Sequence, residues 1–170
     1  MPISHNQSHK PKLYIAGKIS TDNFREYIVP DLSYHQWGDL NIQTPIYEYL
    51  GPYTVNCKHG FFSGNGTHES VGNDGAIDLS KEDVINENMR ALANADLVVA
   101  YISTTDCFGT LMEIGWAIAK GKRVSLLLSP DIPVHEYWFI AGQVDKVHLN
   151  VRTCCLKMII EQEVNKYVRD

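Results

Sequence analysis

The sequence predicts an α/β fold, in which a doubly wound, mostly parallel sheet carries helices on both faces. Two observations predict it. Short, apolar, β-branched runs at residues 13–16, 95–102 and 123–128 are typical of buried parallel strands. Stretches with helical periodicity lie between them, and this alternation of strand and helix is the pattern of a doubly wound sheet.

Length and composition indicate one intracellular domain. With 170 residues, the chain fits a single domain at residues 12–170, preceded by a flexible tail at residues 1–11. A net charge of −5 and the absence of any Lys/Arg run longer than two argue against a nucleic-acid partner. The four cysteines lack the spacing of a disulfide framework, which favours the cytoplasm. No apolar run approaches the ~20 residues of a membrane span.

The first strand, residues 13–16, ends at Gly17 and leads into a loop that contains Lys18. Thr21 or Asp22 is predicted to cap the helix that follows. A ligand phosphate would find backbone N–H groups and the Lys18 ammonium in this loop. An ordinary loop with a surface lysine is the alternative.

The next stretch contains a predicted second strand, residues 42–49, and a long loop, residues 51–78. The loop is rich in glycine and aromatic residues and lacks periodicity, which favours a lid or binding loop. His59 and His68 are candidates for facing a substrate, and structural packing is the alternative. Together with Cys57 they also offer three zinc ligands, but Cys-x-His lacks the usual spacing and no fourth ligand is obvious. We therefore predict no metal site.

A helix is predicted before the central strand, and one polar residue interrupts its apolar stripe. Ser80 and Asp83 form a capping box at its start. Asn88 lies inside the stripe, where a polar side chain needs hydrogen-bond partners. The residues predicted to be buried on this helix are Ile85, Met89 and Leu92.

The central strand, residues 95–102, leads through a turn to a helix predicted at about residues 110–120 and ended by Gly121. Asp96 is assigned to pinning the start of this strand. The helix is apolar on nearly every side, which predicts burial, yet it carries Glu113. This glutamate either benefits from the dipole at the helix N-terminus or acts at the carboxyl end of a strand, where open α/β sheets bind ligands. Periodicity does not decide between them.

The last third of the chain completes the predicted sheet. A buried strand at residues 123–128 is followed by a short strand at residues 147–151 and an amphipathic closing helix at residues 153–167. Between them lies an aromatic cluster that one face of a small domain cannot bury whole, and such residues are enriched in interfaces. The cluster consists of Tyr137, Trp138 and Phe139.

Three pieces of the sequence carry a resemblance to a known family. The first is the motif Asp-x-x-Gly-Thr-x-x-Glu-Ile-Gly-x-Ala, which begins at Asp106. The second is Tyr-x-x-Gly, from Tyr14 to Gly17, and the third is the helix before Asp96. These pieces cover roughly residues 12–19 and 80–128 and resemble the nucleoside 2-deoxyribosyltransferases. That family includes the nucleoside 5′-monophosphate N-glycosidases, and the Gly-Thr-x-x-Glu-Ile-Gly-Trp form is similar to the hydroxymethyl-CMP hydrolase branch.

The resemblance implies a flavodoxin-like or Rossmann-like fold and an enzyme that cleaves N-glycosidic bonds. Glu113 would form a glutamyl ester with the sugar, and Tyr14 would orient Glu113. Asp106 is the candidate acid for the leaving base, which requires a raised pKa. Capping of the helix is the alternative role of Asp106.

The same resemblance implies the substrate and the assembly. The substrate is a nucleoside or nucleotide, no cofactor is expected, and the enzyme is a homodimer or a higher homo-oligomer. The family usually has Asp at the position of Asn88, so an amide would replace a carboxylate there. The residues expected to bind substrate are Gly17, Lys18, Asn88, Gly109, Thr110, His59 and His68.

Three alternatives to transfer between bases stay open at this point. The first is hydrolysis of 5′-monophosphates, which the Gly-Thr-x-x-Glu-Ile-Gly-Trp resemblance favours, although the first loop offers no basic pair beyond Lys18 and Arg25. The second is an enzyme similar to NAD glycohydrolases. The third is a nucleotide-binding sensor, in which Asn88 marks the loss of catalysis.

Overall fold

The computed structural model describes residues 10–18, 24–29, 32, 41–52 and 81–170. The strands in these ranges are β1 (Lys12–Gly17), β2 (Ile42–Gln43), β3 (Glu48–Gly51), β4 (Leu97–Ile102), β5 (Arg123–Leu128) and β6 (Lys146–His148). The helices are α1 (Lys81–Asn94), α2 (Phe108–Ala119), α3 (Trp138–Ala141) and α4 (Leu156–Arg169), with 3₁₀ helices at Phe24–Tyr27, Val134–Tyr137 and Thr153–Cys155.

The strands form one sheet in the order β2-β3-β1-β4-β5-β6. All neighbours are parallel except β2 and β3, which are antiparallel. The chain passes from β1 to β3 on one side, returns through α1 to β4 and then continues outward to β6. The direction of winding therefore reverses between β1 and β4, which is where doubly wound sheets bind their ligands. The prediction of a doubly wound, mostly parallel sheet is confirmed.

A core lies on each face of the sheet, because the side chains of each central strand alternate between the two faces. On one face, Leu97, Val99 and Tyr101 pack with the 3₁₀ helix Phe24–Tyr27 and with α4. On the other face lie the remaining side chains of β4 together with α1 and α2. Helices therefore cover both faces, as predicted.

Asp96 pins the start of β1, in agreement with its assigned structural role. The backbone N–H of Lys12 donates to Oδ2 of Asp96 over 2.8 Å, and the N–H of Asp96 donates to the Lys12 carbonyl over 2.8 Å. Lys10 and Pro11, at the end of the segment predicted as a tail, also contact the sheet. The carbonyl of Pro11 accepts the N–H of Glu48 at 3.0 Å.

The single strand predicted at residues 42–49 is wrong, because the structure has the antiparallel pair β2 and β3 there. Thr44 makes the turn between them. Its N–H donates to the Tyr47 carbonyl over 2.9 Å, and its Oγ1 accepts the Tyr47 N–H at 3.0 Å. A threonine hydroxyl that accepts from the backbone in this way forms a local turn at the expense of a continuous strand.

Gly121 ends α2, as predicted. Its φ of +67° lies in the left-handed region, which glycine adopts without the steric cost of a Cβ. Its N–H donates to the Ile118 carbonyl over 2.9 Å, and the N–H of Lys122 donates to the Ala117 carbonyl over 2.9 Å. These two bonds form the Schellman motif.

The side chain of Lys122 joins the end of α2 to the end of α1. Its Nζ donates to the carbonyls of Ala93 and Ala95 over 2.6 and 2.7 Å. A lysine ammonium suits the last carbonyls of a helix, since they carry partial negative charge.

Two predictions of helix burial are wrong. Ile85 is 60% exposed, because the core beside α1 is formed by its second half, from Met89 onward. In α2 only one side faces the sheet: Ile114 is buried, whereas Met112 is 73% exposed. Residue 80, the first residue of the predicted capping box, lies outside the described part of the chain, and so do the predicted helix caps at residues 21 and 22.

A buried polar cluster ties α4 to the far side of the sheet. Glu163 of α4 is buried, and its carboxylate accepts the Ser125 hydroxyl at 2.5 Å and contacts His148 Nε2 at 3.0 Å. The closing helix is therefore fixed to both β5 and β6. Within the described residues, no helix is long and apolar enough to cross a membrane.

Candidate active site

Tyr14 and Glu113 are joined by a hydrogen bond. Tyr14 is the third residue of β1, inside the strand and not at its end, and its side chain is fully buried. Its hydroxyl donates to Oε1 of Glu113 over 2.6 Å. Glu113 lies in the second turn of α2 and is half-buried. Tyr14 therefore fixes one carboxylate oxygen of Glu113 to β1.

Burial sets the acidity of both groups. Loss of hydration raises the pKa of Glu113, while the Tyr14 hydrogen bond and the positive charge of Arg25 act in the opposite direction. The pKa of Tyr14 lies well above the ordinary tyrosine value, chiefly because of burial and also because of the neighbouring Glu113 carboxylate. Tyr14 therefore stays protonated at neutral pH and acts as a donor to Glu113.

The pairing of β1 with β3 is irregular beside Tyr14. Leu13 lies opposite Tyr49, but Tyr14 lies opposite Gly51, so one residue of β3 is skipped. Such bulges change the direction of nearby side chains. This one lies at the residue that contacts Glu113.

Lys18 and Asp106 form an ion pair where β1 and β4 end. Asp106 is exposed, and the hydrogen bond from Lys18 holds the pKa of its carboxyl below the usual value. The raised pKa expected for Asp106 is therefore wrong. Capping of α2 by Asp106 is not observed either, because the N-cap residue is Cys107 and no side chain caps the helix.

The glycines expected at the site differ in their surroundings. Gly17 is tightly enclosed: a Cβ there would lie 2.8 Å from the Phe24 ring and 3.0 Å from the Tyr101 carbonyl oxygen. Gly109 has open space around it. It lies with the buried Thr110 in the first turn of α2, one turn before Glu113. The substrate contacts of these residues stay predictions.

Asn88 is half-buried on α1, which packs against β1, β3 and α2. Its amide makes no hydrogen bond to any residue that the structure describes. Its predicted contact with substrate is untested. His59, His68 and Cys57 lie outside the described residues, as does nearly all of the predicted loop. In the described part of the chain, no three His, Cys, Asp or Glu residues are placed to hold a metal ion.

Arg25, which follows the first loop, is not available to a phosphate there, because the structure buries it completely. Its Nε donates to the Ile15 carbonyl over 2.8 Å, and its Nη2 donates to the Gly17 carbonyl over 2.7 Å. Its charge also acts on Glu113 and Tyr14.

An exposed apolar surface flanks the start of α2. The buried thiol of Cys107, just before α2, lies 3.8 Å from the hydroxyl of Tyr137, just before α3. We use the name α2–α3 surface for the four large apolar side chains of these two helices that have exposed fractions of 64–78%. They are Phe108, Met112, Trp138 and Phe139.

Comparisons with known proteins identify the family. The sequence model of the nucleoside 2-deoxyribosyltransferases matches residues 45–164. The chain belongs to the nucleoside 2-deoxyribosyltransferase family. The matched residues include Asp106 and Glu113. Tyr14, on β1, precedes the matched residues.

No curated protein matches this deoxyribosyltransferase family member. Among solved structures it is similar to a conserved protein from Enterococcus faecalis V583, with 18% sequence identity and a TM-score of 0.47. That similarity covers 94% of this chain and 98% of the other.

Proposed function

We propose that the protein cleaves the N-glycosidic bond of a nucleoside or nucleotide through a glutamyl ester on Glu113. The observation that carries this proposal is the hydrogen bond between Tyr14 and Glu113. A half-buried carboxylate, held by a strand beside the switch point of the sheet, suits a nucleophile for a sugar carbon. Membership of the family supports the same chemistry.

In the first step, a carboxylate oxygen of Glu113 bonds to the anomeric carbon while the bond from that carbon to the base nitrogen breaks. The base leaves with the electron pair and takes up a proton. In the second step, another base or water bonds to the anomeric carbon and gives up a proton, while the ester bond from that carbon to Glu113 breaks and releases the carboxylate. Tyr14 orients the carboxylate through both steps.

Asp106 is our candidate donor of the proton to the leaving base. Beside Lys18 its carboxyl is ionised at neutral pH, because its pKa is lowered. The ion pair therefore has to open before Asp106 can carry a proton. Substrate would open it if Lys18 turned to the sugar or to a 5′-phosphate, and the partial exposure of Lys18 leaves room for this movement.

Hydrolysis of a 5′-monophosphate is the second candidate function, and Lys18 is the observation that favours it. Its ammonium lies at the carboxyl end of β1, beside the first loop. Arg25 no longer supports this candidate, since its guanidinium is buried against backbone carbonyls. An inactive sensor is disfavoured by the intact Tyr14–Glu113 pair.

We also propose that the protein forms a homodimer or a higher homo-oligomer through the α2–α3 surface. Monomers seldom expose a sizeable apolar patch, and large aromatic side chains are typical of interface cores. The surface adjoins the first turn of α2, so a second copy bound there would lie beside the candidate active site.

The test of the catalytic proposal is incubation of the pure protein with nucleosides, deoxynucleosides, their 5′-monophosphates and NAD, followed by chromatography for free base. A second base as acceptor separates transfer from hydrolysis. Glu113→Ala is expected to lose activity by several orders of magnitude, with Glu82→Ala on the exposed side of α1 as the control. Release of base by Glu113→Ala at a tenth of the wild-type rate would contradict the proposal.

A further inference from the structure

Among the residues that the structure describes, the end of β1 has no neighbouring strand on one side, and Arg25 lies on that side. β1 pairs with β4 from Leu13 to Gly17, but its pairing with β3 stops at Tyr14. The carbonyls of Ile15 and Gly17 lie beyond that point. Arg25 donates to both of them.

The guanidinium group suits this position because it is planar and presents several N–H donors in a fixed fork. Buried carbonyls need partners, and here a side chain provides the donors that a strand would otherwise provide. The ring of Phe24 lies 4.5 Å from the Arg25 guanidinium carbon and packs edge-on against Tyr101. The guanidinium is therefore enclosed by an aromatic ring as well as by the strand.

We propose that Arg25 is a positioning residue of the candidate active site. It fixes the end of β1, from which Tyr14 and Lys18 reach the site, and its buried positive charge favours the ionised Glu113 carboxylate. This inference rests on the proposed role of Glu113.

The charge of Arg25 opposes the effect of burial on Glu113. A buried carboxylate is costly to ionise, and the Arg25 charge together with the Tyr14 hydrogen bond lowers that cost. Around Glu113, β4, β5 and the second half of α1 contribute apolar side chains to the core. Where β1 and β4 end, Lys18 and Asp106 carry opposite charges and form an ion pair. Arg25 therefore favours the ionised form that a nucleophile needs.

Two variants separate the charge of Arg25 from its geometry. Arg25→Gln removes the charge, and Arg25→Lys keeps the charge but replaces the fork with a single nitrogen. Arg123→Gln is the matched control, because it removes one positive charge from an exposed ion pair with Asp170 on the far side of the protein. Circular dichroism shows which variants fold.

The first measurement is the titration of the Glu113 side-chain carboxyl by ¹³C NMR, with its resonance assigned by its absence in Glu113→Gln. We expect Arg25→Gln to raise the pKa of Glu113 by about one unit, whereas Arg25→Lys and Arg123→Gln leave it within a few tenths. An unchanged pKa in a folded Arg25→Gln variant overturns the proposal.

The second measurement is kcat/KM for glycosidic cleavage as a function of pH. In Arg25→Gln the acidic limb of this profile is expected to move to higher pH, because the pKa of Glu113 rises. In Arg25→Lys it is expected to stay at the same pH. We expect Arg25→Lys to lose about tenfold in kcat at every pH, because one ammonium cannot hold both carbonyls. If Arg25→Gln does not fold, wild-type kcat in Arg25→Lys overturns the proposal. If the wild-type protein cleaves no substrate, the proposed function fails, and the NMR titration still decides the role of Arg25.

Discussion

The hydroxyl of Tyr14 donates to the Glu113 carboxylate over 2.6 Å, from a strand near the start of the chain to a helix beyond its middle. We predict that Tyr14→Phe lowers kcat/KM by about ten- to a hundredfold, since a hydrogen bond to a charged group contributes ~1.5–3 kcal/mol. The acidic limb of the pH profile should also move to higher pH, because the Tyr14 hydroxyl, which this variant lacks, stabilises the Glu113 carboxylate. Tyr27→Phe, at an exposed tyrosine, is the control. Wild-type kinetics in Tyr14→Phe would show that this contact is structural only.

Glu113→Gln should make the protein more stable at neutral pH and not in acid. Burial raises the pKa of Glu113 in the folded state, so the folded protein holds this proton more tightly than the unfolded chain does. Stability therefore falls as the pH rises from the ordinary glutamate pKa through the folded one. We expect a gain of about 0.5–2 kcal/mol at pH 7 that disappears below about pH 4.

Thermal unfolding of the wild type, Glu113→Gln and Glu82→Gln at pH 7 and pH 4 measures this difference. Glu82 is exposed, so its variant should follow the wild type at both pH values. A gain for Glu113→Gln of equal size at both pH values would show that ionisation is not its cause.

Gly17→Ala should destabilise the protein, because the new methyl group would lie 2.8 Å from the Phe24 ring. Overpacking of this kind costs about 1–3 kcal/mol. Gly115→Ala is the matched substitution in open space on α2, where alanine is favoured over glycine by up to about 1 kcal/mol. The free energy of unfolding, measured with denaturant, should therefore fall for Gly17→Ala and rise for Gly115→Ala. Equal stabilities would mean that Phe24 moves aside without cost.

Ser125→Ala should lower the free energy of unfolding by about 1–3 kcal/mol, since the buried Glu163 carboxylate would lose a donor at 2.5 Å. Ser129→Ala is the control, because within the described residues the Ser129 hydroxyl has a single hydrogen bond, a long one of 3.3 Å that it accepts from the Asp131 N–H. Both variants are compared by chemical denaturation at pH 7. If Ser129→Ala lowered the free energy of unfolding more than Ser125→Ala does, the contact between Ser125 and Glu163 would not be what fixes α4 to the sheet.

Trp138→Ala should weaken assembly, because Trp138 is 70% exposed on the α2–α3 surface. Light scattering at micromolar concentration should give a mass of at least two chains for the wild type and a smaller one for the variant. Met158→Ala on α4 removes another exposed apolar side chain and should leave the mass unchanged. A monomeric wild-type protein would refute the proposed assembly, and a Trp138→Ala variant that keeps its full mass would place the interface elsewhere.

The sequence predicts the parts of the fold that depend on local pattern. Buried strands such as β4 and β5 are apolar on both faces, and Gly121 marks the end of α2 through its own conformation. The Thr44-Pro45 pair was an available signal for the turn between β2 and β3, since both residues favour turns. It was outweighed by the apolar residues around it.

The sequence does not predict the burial or the pKa of a side chain when these depend on where a strand remote in sequence ends. Arg25 is buried beside the part of β1 that no longer pairs with β3. The residues around Arg25 do not indicate where that pairing stops. The lowered pKa of Asp106 likewise depends on Lys18, which follows β1, whereas Asp106 follows β4. Periodicity identified the apolar residues of α2 but not which of them the sheet covers, because all sides of this helix are apolar.

Lys122 gives α1 and α2 a common end. Its ammonium binds the last carbonyls of α1, while its backbone completes the cap of α2. The final turns of a helix are usually the first to open, and in this protein opening either end breaks contacts of the other. The two helices that carry Asn88 and Glu113 therefore fray as one unit, so their amide protons should exchange with solvent at linked rates.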